Sequence, residues 1–290
     1  METSSATQGS ELETVLARIG TLPTPTRVFD QVTSMLANPK TSAKEIAEVV
    51  SADQSITARL LKMVNSPFFG LAEEVTTVSR AITIIGFGAL RNLILASSLM
   101  DLFTSRLKGR AFFNIELLWT HSWATGVAAR AIAKRTGHSA EAEEYLVAGL
   151  MHDVGKLALL QYLPERVEAI LEKVVRQRCL FIEGEREVLG TDHTVIGAAI
   201  ADQWRLPAAL RDVIAMHHVP SQAADVARAA TVQLADVMAR ALLLGSGGDR
   251  SMPSLDGEAY KLLRLDDQKL QGIMRDVERG LAANSLAFLM

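Results

Sequence analysis

The chain has one cysteine, no long apolar run free of charge, and no surplus of either sign. Cys179, being alone, forms no intramolecular disulfide; this points to a reducing, cytoplasmic setting, and the residue reads as a small half-buried hydrophobe. The most apolar stretch, around Ile82 to Phe103, is interrupted by Arg91 and Asp101, which makes a buried amphipathic helix a better reading than a membrane span. Met1 to Ser10 is polar and reads as disordered, without the apolar centre of a signal peptide. A net charge of −3 and a pI near 6.1 leave no electrostatic footprint for sequence-independent nucleic-acid binding. Low-complexity blocks and internal repeats are also missing.

What remains is a chain of 290 residues, long enough to bury a substantial core, with apolar positions spaced mostly at three and four. Alternating runs are few and aromatics make up only 5%, so the expected fold class is all-α, in two packed helical subdomains. Pro23 and Pro25 precede a helix through Val28, Val32 and Met35. Ser42 and Glu45 form a capping-box pattern, Asp53 caps the next helix, and Pro67 ends it after Asn65-Ser66. A turn with Phe68, Phe69 and Gly70 follows, then a helical stretch broken near Gly86 to Gly88. The expected divisions are a disordered 1–10, a first helical subdomain at 11–110, a second at 111–245, and a linker with C-terminal helices at 246–290. Lys108-Gly109-Arg110 marks the seam, and Gly245 to Asp249 reads as a flexible linker.

Six histidines are present, and five stand on faces that should be buried. His121 lies on the stripe Leu117, His121, Ala124, Ala128, Ile132. His152 follows Tyr145 by seven and Ala148 by four, with Asp153 seven after Leu146. His193 opens the stripe His193, Ile196, Ile200, Trp204; His217 extends Leu206, Leu210, Val213, Ile214, with His218 adjoining. Asp236 sits on Ala229, Val232, Asp236, Ala239, Leu243. Only His138, after Gly137, reads as solvent-exposed. A lone inward histidine is more often a hydrogen-bonded core residue than a ligand. An unpaired buried carboxylate costs several kcal/mol, however, and a shared divalent metal removes most of the cost of burying all seven groups. Seven candidates exceed the needs of one ion, which suggests two ions bridged by Asp153 and able to clamp a phosphoryl group. Mixed nitrogen and oxygen ligation suits Fe, Mn, Ni or Zn. Lys156, one turn beyond Asp153, either reaches a phosphate oxygen or a carboxylate behind the ligands, or is a solvated helix-end cation.

These residues resemble the HD superfamily of metal-dependent phosphohydrolases, named for the adjacent pair seen here as His152-Asp153. The resemblance implies an HD-type bundle for the second subdomain, with His121, His152, Asp153 and Asp236 as the minimal ligand set. His193, His217 and His218 match the histidines that supply a second metal in the HD-GYP branch, which hydrolyses cyclic di-GMP. The whole chain resembles most an HDOD domain protein, a bacterial signalling relative. The likeness runs from about Leu22 to Ala239, through Ile56 to Leu61, Val64-Asn65-Ser66, Phe69-Gly70, Val75 to Arg80, Ala81-Ile82, Ile85-Gly86, Leu90 to Leu93, and Ala148 to Lys156. After His217-His218 the chain reads Val219-Pro220-Ser221-Gln222, and no Gly-Tyr-Pro occurs anywhere.

The expected function is therefore bacterial signal transduction by an HDOD protein that keeps a metal site, with one or two divalent transition ions and little or no hydrolysis. Its partners would be signalling proteins or a nucleotide-type ligand. The alternative is a metal-dependent phosphohydrolase acting on a nucleotide or cyclic dinucleotide, with Asp153 and Lys156 as its catalytic residues. A DNA-binding regulator ranks below both: Ser42 to Asn65 reads as helix, turn, helix, but the turn is acidic and its second helix offers only Arg59 and Lys62 to phosphate.

Overall fold

The computed structural model describes residues 17, 27–36, 38, 40–65, 71, 73–107 and 113–281. The expected disordered 1–10, the Pro23 and Pro25 segment, the turn at 66–70 and the seam at 108–110 lie outside the described residues. Among those described, every regular element is helical, as the spacing predicts.

Helices α1 (Arg27–Leu36), α2 (Ala43–Ser51) and α3 (Gln54–Val64) pack against α4 (Val78–Leu107). The start signals act as expected. Ser42 and Glu45 form a reciprocal capping box on α2, and the Asp53 carboxylate accepts the Ile56 amide at the start of α3. At the far end of α3, Asn65 clamps the returning chain: its Nδ2 donates to the Val75 carbonyl (2.7 Å) and its Oδ1 accepts the Val75 amide (2.6 Å). Two bonds from one side chain tie the end of α3 to Val75. Within α4, Gly86 adopts φ +79°, which breaks the helix where the sequence predicted an interruption.

The second unit is built around α5 (Ile115–Arg135), which packs against α6 (Ala142–Met151), α12 (Val226–Ala241) and α14 (Asp267–Leu281). Between them run α7 (Val154–Tyr162), α8 (Pro164–Gln177), α9 (Phe181–Leu189), α10 (His193–Gln203), α11 (Ala208–Met216) and, after α12, α13 (Gly257–Leu262). Helix α4 meets α6 and α7, so the first unit rests on the two helices that flank His152-Asp153. One continuous apolar core runs through both units, from Val28 and Ile46 through Leu93, Trp123 and Leu157 to Ile214 and Ile273. No described helix is long and apolar enough to cross a membrane.

Two expectations fail. The Gly-rich 245–249 segment is not a free linker: the Ser246 amide donates to the Leu117 carbonyl (2.9 Å), and Lys156 Nζ donates to the Gly247 carbonyl (3.0 Å). Its glycines serve close approach to the helices, which composition alone cannot separate from freedom. His138 is half-buried against the Tyr145 ring, 5.6 Å between centroids, and stands apart from the other five histidines.

Candidate metal centre

Helix ends deliver most of the site. His152 closes α6, and Asp153 stands where a cap would stand at the start of α7, yet it makes no capping bond. His193 is the first residue of α10, placed by Asp192, whose carboxylate accepts the Thr194 and Val195 amides. His217 ends α11 with His218 beside it, while His121 and Asp236 project from within α5 and α12. A close approach joins these ends. A Cβ on Gly155 would sit 2.0 Å from the His193 carbonyl oxygen, so only glycine lets the start of α7 lie on the start of α10.

The structure brings all seven predicted ligands together around the two oxygens of Asp153. Oδ2 faces His152 Nε2 (3.3 Å) and His121 Nε2 (3.9 Å). Oδ1 faces His193 Nε2 (3.2 Å) and His217 Nε2 (3.9 Å). His218 Nε2 lies 3.2 Å from His193 Nε2, and His121 Nε2 lies 3.0 Å from Asp236 Oδ1. Two groups result, His121, His152 and Asp153 on one side and His193, His217 and His218 on the other, each with donor atoms mutually within 4.8 Å. Among these residues only His218 is more than marginally exposed.

The donor atoms fit a metal because hydrogen bonding leaves them over. His152 Nδ1 lies 2.6 Å from the Gly149 carbonyl and His217 Nδ1 lies 3.1 Å from that of Ile214, which fixes each ring with Nε2 turned inward. His121 Nε2, His152 Nε2 and Asp153 Oδ1 are buried without a hydrogen-bond partner. The 3.0 Å approach of His121 to Asp236 is too poorly aligned to count as a hydrogen bond. Orphaned buried atoms of this kind are costly, and a cation satisfies all of them at once. These His and Asp clusters are compatible with metal binding.

Electrostatics agree. Burial lowers His121, brings His217 down to about 3 and takes His218 well below the usual range, keeping all three neutral and able to ligate. Burial would also lower His152, but Asp153 outweighs it and raises the imidazole. Burial works against ionisation of Asp153, yet His152 and Lys156 hold its carboxyl well below the usual range; Arg240 and His121 do the same for Asp236.

Four supporting residues surround the ligands, three of them not anticipated. Lys156, the one foreseen, is buried and donates to Asp153 Oδ2 at 2.9 Å, so it is not a solvated helix-end cation. Glu185 Oε2 lies 2.5 Å from His193 Nδ1, the carboxylate–histidine pairing that orients a ligating ring. Its position on the buried stripe Phe181, Glu185, Leu189 was a readable signal. Arg240 Nε donates to Asp236 Oδ1 at 2.7 Å, four residues on along α12, a spacing also visible in the sequence. Asp249 forms an ion pair with Arg240 Nη1 (2.5 Å) and lies 3.8 Å from Lys156; no local pattern marks it. Leu117, the first residue on the His121 stripe, is 45% exposed and takes no part in the core.

Residues 22–220 match the HDOD domain family. An HDOD domain protein of unknown function from Geobacter sulfurreducens has a similar structure, with TM-score 0.76 at 26% identity, covering 95% of this chain and 99% of the other. A candidate metal-dependent phosphohydrolase from Shewanella amazonensis SB2B shares the fold, with TM-score 0.67 at 17% identity and 100% of both chains covered. An uncharacterized protein of Treponema pallidum is 28% identical over 222 residues, 73% of this chain; the match spans only 40% of that protein's length. Because the family match over residues 22–220 spans more than half of its length and includes the His152-Asp153 pair, the chain belongs to the HDOD domain family.

Proposed function

We propose that this chain is a regulatory HDOD protein of bacterial signal transduction whose HD-type centre holds two divalent transition ions, Fe, Mn, Ni or Zn, sharing Asp153. The observation that carries the reading is the division of labour on Asp153: one oxygen faces His121 and His152, the other His193 and His217. His121, His152 and Asp236 would hold one ion, and His193, His217 and His218 the other. When bound, such ions supply Lewis acidity and an activated water. The chain's own residues fix the rings, exclude solvent and hold Asp153 ionised.

Little or no hydrolysis is expected. Gly-Tyr-Pro is missing after His217-His218. The completeness of the ligand set favours a second reading, a phosphohydrolase of nucleotides or cyclic dinucleotides in which Asp153 and Lys156 serve the reaction. Manganese- or iron-loaded protein incubated with cyclic dinucleotides and nucleoside phosphates separates the two. Turnover at or near background supports the regulatory reading; sustained turnover that Asp153→Ala abolishes would replace it with the second.

A further inference from the structure

The segment after α12 does more than pass the site. A Cβ on Gly247 would stand 3.1 Å from Lys156 Nζ, 3.2 Å from Asp153 Oδ2 and 3.5 Å from the His121 ring, so this backbone lies directly over the candidate metal centre. Two residues on, the Asp249 side chain, 6% exposed, enters a pocket of donors. Its Oδ2 pairs with Arg240 Nη1 (2.5 Å) and faces Lys156 Nζ at 3.8 Å. Its Oδ1 accepts the backbone amide of Phe181 (2.5 Å), the first residue of α9. One guanidinium nitrogen, a lysine and a helix-start amide face its two oxygens, the kinds of donor that proteins use for phosphoryl groups.

The same cations reach the metal ligands from behind. Arg240 bridges Asp236 and Asp249, and Lys156 bridges Asp153 and Asp249. Formal charge therefore couples the two places. Lys156 and Arg240 face more carboxylates than they can neutralise, Asp153, Asp236, Asp249 and Glu185. Two divalent ions turn that deficit into a surplus, which a phosphoryl dianion in place of Asp249 reduces.

We propose that Arg240, Lys156 and the Phe181 amide form an oxyanion seat for a phosphoryl group, which the chain's own Asp249 fills in the unliganded state. An incoming phosphoryl group exchanges with the Asp249 carboxylate, lifts the 245–249 strap and uncovers Asp153. The seat stands on this geometry; its preference for a phosphoryl group over another oxyanion rests on the metal-centre reading above.

Inorganic phosphate is the probe, titrated calorimetrically into the intact chain before and after loading with Mn(II). Removing the internal competitor in Asp249→Asn should tighten phosphate binding by about tenfold or more, because affinity falls with the fraction of seats that stand open. Adding Arg240→Gln to that variant should abolish the gain, and Mn(II) should strengthen phosphate binding. Asp249→Asn that keeps its helical spectrum and binds phosphate no more tightly than wild type overturns the proposal. Should that variant fail to fold, hydrogen exchange on the wild type decides: phosphate must speed exchange of the amides at 246–249, and unchanged exchange at saturating phosphate overturns the seat. Metal content, counted separately, keeps the two readings apart. A chain that gains phosphate affinity but binds no ion retains the seat and loses the metal centre.

Discussion

Asp153 stands at a helix start and caps nothing, and its buried carboxylate would be costly without compensation. The compensation comes from histidines on both sides and from Lys156, and the histidines are oriented in turn by atoms behind them. Glu185 is the support most directly open to test. Glu185→Gln keeps the shape and removes the charge that aligns His193, and second-layer changes of this kind lower metal affinity by about 10–100-fold. Competition against a fluorescent chelator should show that loss with an unchanged helical spectrum; unchanged affinity would make Glu185 a packing residue only. His152 governs the pH dependence. Its pKa is raised above the ordinary 6.5 in the metal-free site, so the proton must leave before Nε2 can bind an ion. Affinity should therefore rise with pH as that proton is lost and then level off. His217, at about 3, releases none in that range. Calorimetry in buffers of different ionisation enthalpy should count a proton released below the His152 pKa, and none above it. The clustered histidines and carboxylates were legible because charged or polar groups on apolar stripes need a reason. Glu185 and Arg240 obeyed the same rule at spacings of four, while Asp249, in irregular chain, had no stripe to break.

At the scale of the element, the ordering of helix ends does the positioning. Capping residues predicted α2 and α3 from the sequence, because Ser42 and Asp53 act within one turn and need no tertiary partner. The meeting of α7 with α10 depends on a contact some forty residues apart in sequence, which no local pattern announces. Gly155→Ala tests it. The added carbon would collide with the His193 carbonyl, so α7 and α10 must separate, and overpacking of this kind costs about 1–3 kcal/mol. Thermal unfolding should show the lower stability, and the displacement should weaken metal binding because it draws His193 away from Asp153. A variant with wild-type stability and affinity would mean the two helices are not held together here. The same limit explains the strap: Gly245 to Asp249 has the composition of a linker, and only the fold shows it lying against α5 and α7.

For the whole molecule, two helical units share one core, and the first unit rests through α4 on α6 and α7, the helices that carry His152 and Asp153. Any change in how the units pack would therefore reach the ligand pair directly, a geometry suited to reading out the state of the centre. The all-α class, the break at Gly86 and the residues that gather around Asp153 were readable from spacing and punctuation. The surplus of candidates already suggested that Asp153 is shared; which histidines face which of its oxygens was not readable, because that depends on how four helix ends and two helix interiors meet. That sharing is the central claim, and native mass spectrometry of chain reconstituted with Mn(II) or Fe(II) tests it most directly. The account predicts two ions per chain, one ion in His218→Ala, and none in Asp153→Ala when each variant remains folded. A folded wild type that takes up no ion, or an Asp153→Ala variant that keeps both, would contradict it.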